Sequence, residues 1–221
     1  MAAGPFDILL ASVGERLDEV RQQLYYSDAH GSRPGGVQTA RFGRAMAYVA
    51  LAAALEEFVK RAFERLCDEI NHRQIAVADA RLGIVALEQA PVFESVASGR
   101  KQRMWNDRTS VLQRTTSSDT LVLNRELRPM DGKTIRGRHI DTLWKAFEIK
   151  GDPLPRPQIY LALEDLGSGR NAVAHGNSDP ITFGRRKAFA DVAARVDQVE
   201  ELVVHMVEAL NTYVAQNGFR R

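Results

Sequence analysis

The sequence predicts an all-α protein, a helical bundle of four to five core helices with an inserted, less regular basic subregion. Three observations predict it. Apolar residues recur at steps of three and four along four long segments, proline and glycine cluster between those segments, and no multi-strand alternation or internal repeat is visible. The 221 residues, 44% of them hydrophobic, suffice for one sizeable core. A single domain over residues 1–221 is expected, with 74–154 as an insertion within it.

Pro5 suits the first turn of a helix, and Phe6, Leu9, Val13, Leu17, Val20 and Leu24 continue it to an end near Ser27. His30 to Gly36, with Gly31, Ser32, Pro34, Gly35 and Gly36, is a loop. From Val37 to about His72 no proline intervenes. Leu55, Val59, Ala62, Leu66 and Ile70 form a stripe there, supported by Glu56–Lys60 and Glu57–Arg61 pairs four apart, so a helix of roughly 50 Å is expected. A further helix starts at Pro157, carries Ile159, Leu163, Leu166 and Val173 on one face, and stops at Gly176 before the Asp179-Pro180 breaker. The last runs from about Arg185 to Gln216 with Phe189, Val192, Val196, Val199, Val203, Met206, Leu210 and Tyr213 as its seam and Gly218 as its stop. Between residues 74 and 150, helical stretches are expected near Ala78–Glu88, Pro91–Gln113 and His139–Phe147.

Composition excludes several classes of protein. A single Cys67 permits neither an intramolecular disulfide framework nor a cysteine-built zinc site, and beside Leu66 and Ile70 it reads as a small core residue. His30, His72, His139 and His205 lack metal-ligand spacing, so no metal and no cofactor are expected. The apolar run Met46–Leu55 is too short to span a bilayer, and no signal-peptide pattern opens the chain; a cytoplasmic protein without membrane contact is expected. A net charge of +2 leaves a polyanionic partner open, so charge distribution has to decide.

The residues that carry chemistry lie late in the chain. Continuing the Leu166 stripe by four reaches Arg170, a cation on a face expected to be buried, and such a charge needs a carboxylate or an anionic ligand. Glu57 and Glu56 on the long helix are the candidates, and pairing with Glu57 is expected. Asn171 and His175 stand four apart, within about 40° on a helix, so the amide can orient the imidazole. Arg170 points about 140° away from His175 on the same geometry. Serving one substrate then requires Arg170 to reach around, the helix to distort, or a second subunit to close the site.

The heptapeptide Arg170-Asn171-Ala172-Val173-Ala174-His175-Gly176 resembles the Arg-(Asn/Asp/His)-x-x-x-His signature of HEPN domains, in the Arg-Asn-x-x-Ala-His-Gly form of RiboL-PSP-like members. The long helix with Leu55-Glu56-Glu57-Phe58, the motif helix and the long closing helix also resemble the HEPN bundle, covering most of residues 1–73 and 155–217. The resemblance implies a metal-independent endoribonuclease, in many relatives a toxin or phage-defence effector, whose two motifs meet across a homodimer. It assigns His175 as base in one subunit and acid in the other, since an imidazole titrates near neutral pH. Arg170 would clamp the phosphate, and Asn171 would orient His175 or touch the phosphate. Nucleotidyltransferase-paired relatives carry Tyr two residues after the histidine, where this chain has Asn177, so tyrosine adenylylation there is not expected.

Residues 100–138 carry ten basic side chains against four acidic ones, a net +6 that leaves the remainder near −4. This asymmetry points to RNA phosphates as partners, with Arg100, Lys101, Arg103 and Arg108 as contacts and Trp105 stacking on a base. The alternatives are a solvated surface or the docking site of an acidic inhibitor or antitoxin protein. The rival to catalysis is a HEPN module that binds a partner protein or nucleotide without chemistry.

Overall fold

The computed structural model describes residues 4–98, 101–129 and 134–221. Within them the chain is all-helical, and its only β-pairing is two isolated bridges, Ala76 with Thr120 and Ala80 with Arg220. A tight loop folds α1 (Asp7–Gly31) back along α2 (Val37–His72) as an antiparallel pair. The first helix outruns its expected end at Ser27 because helix-breaking residues become dense only after Gly31.

Buried positions on α2 come in adjacent pairs every three or four residues: Leu51 and Ala52, Ala54 and Leu55, Phe58 and Val59, Ala62 and Phe63, Leu66 and Cys67. That spacing makes a stripe wider than one neighbour can cover. The helix is accordingly flanked by α1, α7 (Gln158–Ala174), α8 (Pro180–Arg185) and α9 (Phe189–Ala215). On the antiparallel pair α1 and α9, Asn211 donates to Asp7 (2.7 Å) at one end and Arg21 pairs with Asp197 (3.0 Å) and Glu200 at the other.

The closing helix is shorter than the expected Arg185–Gln216. Asp179 accepts from the Thr182 amide at 2.9 Å and Pro180 occupies the first turn, so residues 180–185 form their own short helix; Ala188 is extended, and α9 begins after it. At the other end the left-handed residue is Asn217 (φ 51°) instead of Gly218. The Asn217 and Gly218 amides bond back to Val214 and Tyr213, a Schellman closure.

The insertion has two parts. A 3₁₀ turn (Val77–Asp79), α3 (Leu82–Glu88) and α6 (Gly137–Phe147) belong to the core, with Ile84, Trp144 and Phe147 buried and Phe147 meeting Phe63 of α2 edge-on at 5.9 Å. The expected helix Pro91–Gln113 is two helices, α4 (Ala90–Ser98) and α5 (Lys101–Arg114), packed on each other with Gly99, a poor helix former, between them in the sequence. No helix among the described residues is long and apolar enough to cross a membrane.

Cys67 is 1% exposed, and burial, followed by the neighbouring carboxylates Asp68 and Glu64, pushes its thiol up to about 12. Native protein at pH 8 should therefore resist iodoacetamide, read by mass spectrometry, while the urea-unfolded chain takes up one adduct; rapid labelling of the native form would contradict the packing described.

Candidate functional site

The segment Arg170–His175 forms the last turn of α7, which stays regular to Ala174. His175 is the C-cap, and Gly176 follows at φ +70°, a conformation that lacks a steric penalty only for glycine. Residues 174 to 177 are exposed, so the imidazole projects into solvent from the helix end. The close approach behind the motif depends on Gly169: a Cβ there would lie 2.5 Å from the Tyr48 ring and 2.8 Å from Phe183.

Arg170 is half-buried, as its place on the stripe predicts, but its carboxylate partner is Glu56 and not Glu57. Arg170 Nη2 lies 3.7 Å from Glu56 Oε2, whereas Glu57 turns to Arg61 at 2.7 Å along its own helix. Glu56 and Glu57 are adjacent and thus about 100° apart on α2, and only Glu56 faces α7. Its second oxygen is buried without a hydrogen-bond partner, and Glu56 does not form the expected pair with Lys60, which lies 4.0 Å from Glu64.

Asn171 serves Arg170, which was not anticipated. Asn171 Oδ1 accepts from Arg170 Nη1 at 3.2 Å and from the buried Thr134 hydroxyl at 3.0 Å; among the described residues the Asn171 side chain makes no hydrogen bond to the imidazole, and His175 meets Asn171 only through its backbone N–H, which donates to the Asn171 carbonyl at 3.1 Å. Thr134 lies just before α6, so the insertion reaches the motif helix. The same stretch holds on through Arg136, which pairs with Glu164 and reaches Ser168 Oγ at 3.4 Å. A guanidinium has five N–H donors. One is used by Asn171, and the carboxylate at 3.7 Å is beyond hydrogen-bonding distance, so Arg170 retains donors and charge for an anion.

A second polar cluster on α7 escaped the sequence reading. Asp165 accepts from Tyr48 (2.6 Å), Lys187 (2.7 Å) and Arg195 (3.0 Å), joining α7 to α2, to the link between α8 and α9, and to α9. The Lys187 ammonium also lies 5.0 Å from the centre of the Tyr48 ring. Burial alone would raise the Asp165 carboxyl, but the hydrogen bonds from Lys187, Tyr48 and Arg195 outweigh it and hold the group below the usual carboxylate range. Burial, then the bond to Asp165, pushes the Tyr48 hydroxyl well above a normal phenol.

The expected RNA contacts are only partly placed. Arg100 and the side chains of Lys101 and Arg103 lie outside the described residues. Trp105 is 64% exposed on α5, with the Arg108 guanidinium 5.2 Å from its ring centre. Part of the basic excess is internal: Arg114 binds Glu88 (2.7 Å) and Asp119 (2.8 Å), and Arg136 binds Glu164. Among the described residues no three His, Cys, Asp or Glu side chains form a group suited to a metal ion.

Comparison of this chain with protein families, with curated proteins and with solved structures gives no match.

The Asp165 cluster sets a pH dependence. Its folded carboxyl is depressed, so its contribution is complete above the unfolded value of 3.8 and disappears as pH falls from there through the folded value. Asp165→Asn should cost about 2 kcal/mol at pH 7 and flatten the acid limb of the stability curve, read by urea denaturation. An unchanged acid limb would mean that the carboxylate is not held as described.

Proposed function

We propose that this chain is a metal-independent endoribonuclease of HEPN type that acts as a homodimer on RNA. The observation that carries the reading is the last turn of α7. There Arg170 is aimed by Asn171 and Glu56 yet keeps free donors, and His175 stands exposed at the helix end. The chemistry is intramolecular transfer at phosphorus. The RNA 2′-oxygen loses its proton to a base and bonds to phosphorus, the bond from phosphorus to the 5′-oxygen breaks, and an acid protonates the departing oxygen. The products are a 2′,3′-cyclic phosphate and a 5′-hydroxyl. Arg170 stabilises the charge growing on the phosphoryl oxygens. One chain offers one motif imidazole, so base and acid come from the His175 of each of two copies.

The surface suited to the second copy is an apolar cleft of about 550 Å³ between α1 and α2, with Tyr26, Phe42, Met46 and Ala53 on its walls. Phe42 and Tyr26 are 49% and 63% exposed, a poor use of large apolar side chains in a monomer. Ala53 is one turn from Glu56 on α2, so a copy seated there lies beside the motif. Trp105 and Arg108 supply a stacking platform with a cation for a strand held by the α4–α5 arm. Action as a toxin or defence effector, and restraint by an acidic inhibitor protein, belong to the same proposal.

One observation favours the other reading, a HEPN module that binds a partner protein or nucleotide without catalysis: Asn171 is committed to Arg170 and Thr134, and within this chain it does not orient His175.

Purified protein in EDTA should cleave end-labelled total RNA to cyclic phosphate ends, with His175→Ala slower by about 10²-fold or more and Arg170→Ala by about 10²-fold. Activity equal in parent and His175→Ala, or absent from the parent across several RNAs, would remove the catalytic reading. In sedimentation the parent should run at twice 24.6 kDa and Phe42→Glu at the monomer mass, with cleavage lost alongside. A Phe42→Glu dimer would place the second copy elsewhere.

A further inference from the structure

An open cavity outside the motif region lies near the C-terminal end of α9 and has a volume of about 590 Å³. Arg195 meets α7 at Asp165 near the other end of α9, and Tyr213 on the cavity wall is eighteen residues further on, roughly 27 Å along the axis. The cavity is therefore separate from the site already described. Its volume falls in the range of about 300–1,000 Å³ usual for small-molecule sites.

Its charges do not balance. Arg81, Lys150, Arg220 and Arg221 line it against Glu148 and Glu208. Glu148 is already occupied, with one oxygen 3.2 Å from Arg81 Nη1 and the other accepting from the Gly83 amide at 2.9 Å. Arg221 is anchored through Nε to the Ala80 carbonyl at 2.7 Å, a contact that positions its guanidinium without neutralising it. Among the described residues neither Lys150 nor Arg220 has an ion-pair partner, and the buried Arg81 Nε lacks any hydrogen-bond partner. That nitrogen is itself closed to solvent, so it is the unpaired cations on the wall of the open cavity that mark a place for an anion. Thr212 supplies a hydroxyl, and Gln216 and Asn217 supply amides, at the same wall for the uncharged part of a ligand.

We propose that this cavity binds a phosphorylated small molecule of mononucleotide size, with Arg81, Lys150 and Arg220 on the phosphate and the Gln216 and Asn217 amides on the remainder. The proposal is independent of the ribonuclease reading, since none of these residues touches the motif.

The test is titration calorimetry of the full chain with AMP, ATP and pyrophosphate, with adenosine as the uncharged control and a 5′-phosphorylated RNA tetranucleotide as competitor. Saturable binding of at least one phosphorylated probe is expected, with no binding of adenosine. The double variant Lys150→Glu, Arg220→Glu should bind about tenfold more weakly, and His175→Ala should bind as the parent does. Both substituted side chains are exposed, and an unchanged circular dichroism spectrum confirms the fold of the double variant. No saturable binding of any phosphorylated probe, or equal affinity in parent and double variant, overturns the proposal. Binding of the RNA end alone overturns it as well, since the phosphate then belongs to a nucleic acid.

Discussion

The stripe on α2 has to be covered from several sides, and this requirement arranges the rest of the molecule. Fifteen of its 36 residues are buried, against ten of 27 on α9, so the other helices are placed by what α2 needs covered. The stripe is also graded. Ala45, Ala47, Ala52 and Ala54 keep the first half thin, and there α8 comes so close that a Cβ on Gly184 would strike the Arg41 backbone. Phe58, Phe63, Leu66 and Ile70 widen the second half, where α6 rests on Phe63. Each fully buried Leu or Phe contributes about 2 kcal/mol, so the second half of the helix, with Leu55, Phe58, Phe63 and Leu66, stabilises the fold more than the alanine-rich first half. The motif helix crosses near the middle, with Tyr48 and Glu56 as its two polar anchors.

Those anchors behave in opposite ways. Asp165 receives three donors, two of them cations, and such a structural ion cluster offsets the cost of desolvation. About a turn and a half further along α7, Arg170 donates one hydrogen bond, faces a distant carboxylate and keeps a partly open face. A helix fixed by the first cluster can carry an incompletely satisfied cation at the second without losing its position. The difference in saturation, more than the difference in sequence, separates the supporting charge from the one available to a ligand.

Elements governed by near neighbours were legible. The span Val37–His72 matches its expected bounds because apolar period and the absence of proline act within a few residues. The end of the motif helix was readable from Gly176 and Pro180 for the same reason. Arg170, Asn171 and His175 fall in the end of one helix, as the local pattern requires, yet their wiring was not legible. Whether Glu56 or Glu57 meets Arg170 depends on a rotation of α2 that packing settles. Thr134 stands 37 residues from Asn171, and Tyr48 stands 117 from Asp165, distances at which spacing carries no signal. The acidic pair Glu164 and Asp165 between Leu163 and Leu166 was the one available hint of the Asp165 cluster. The late start of the closing helix was concealed because Arg185, Arg186, Lys187 and Ala188 are ordinary helix formers with no proline or glycine among them.

The hydrogen bond from Thr134 changes what the inserted region is. From composition alone, residues 74–154 look like an appendage on a bundle that could stand without them. Yet their last stretch shares an acceptor with Arg170, lines Gly167 through Thr134 and Arg136, and leads into a helix whose Trp144 and Phe147 fill the core. An appendage can drift, lengthen or be exchanged between descendants without consequence for the body. A strut cannot: substitutions in it and in the motif helix have to be tolerated together, so in lineages of this chain the two should change in step.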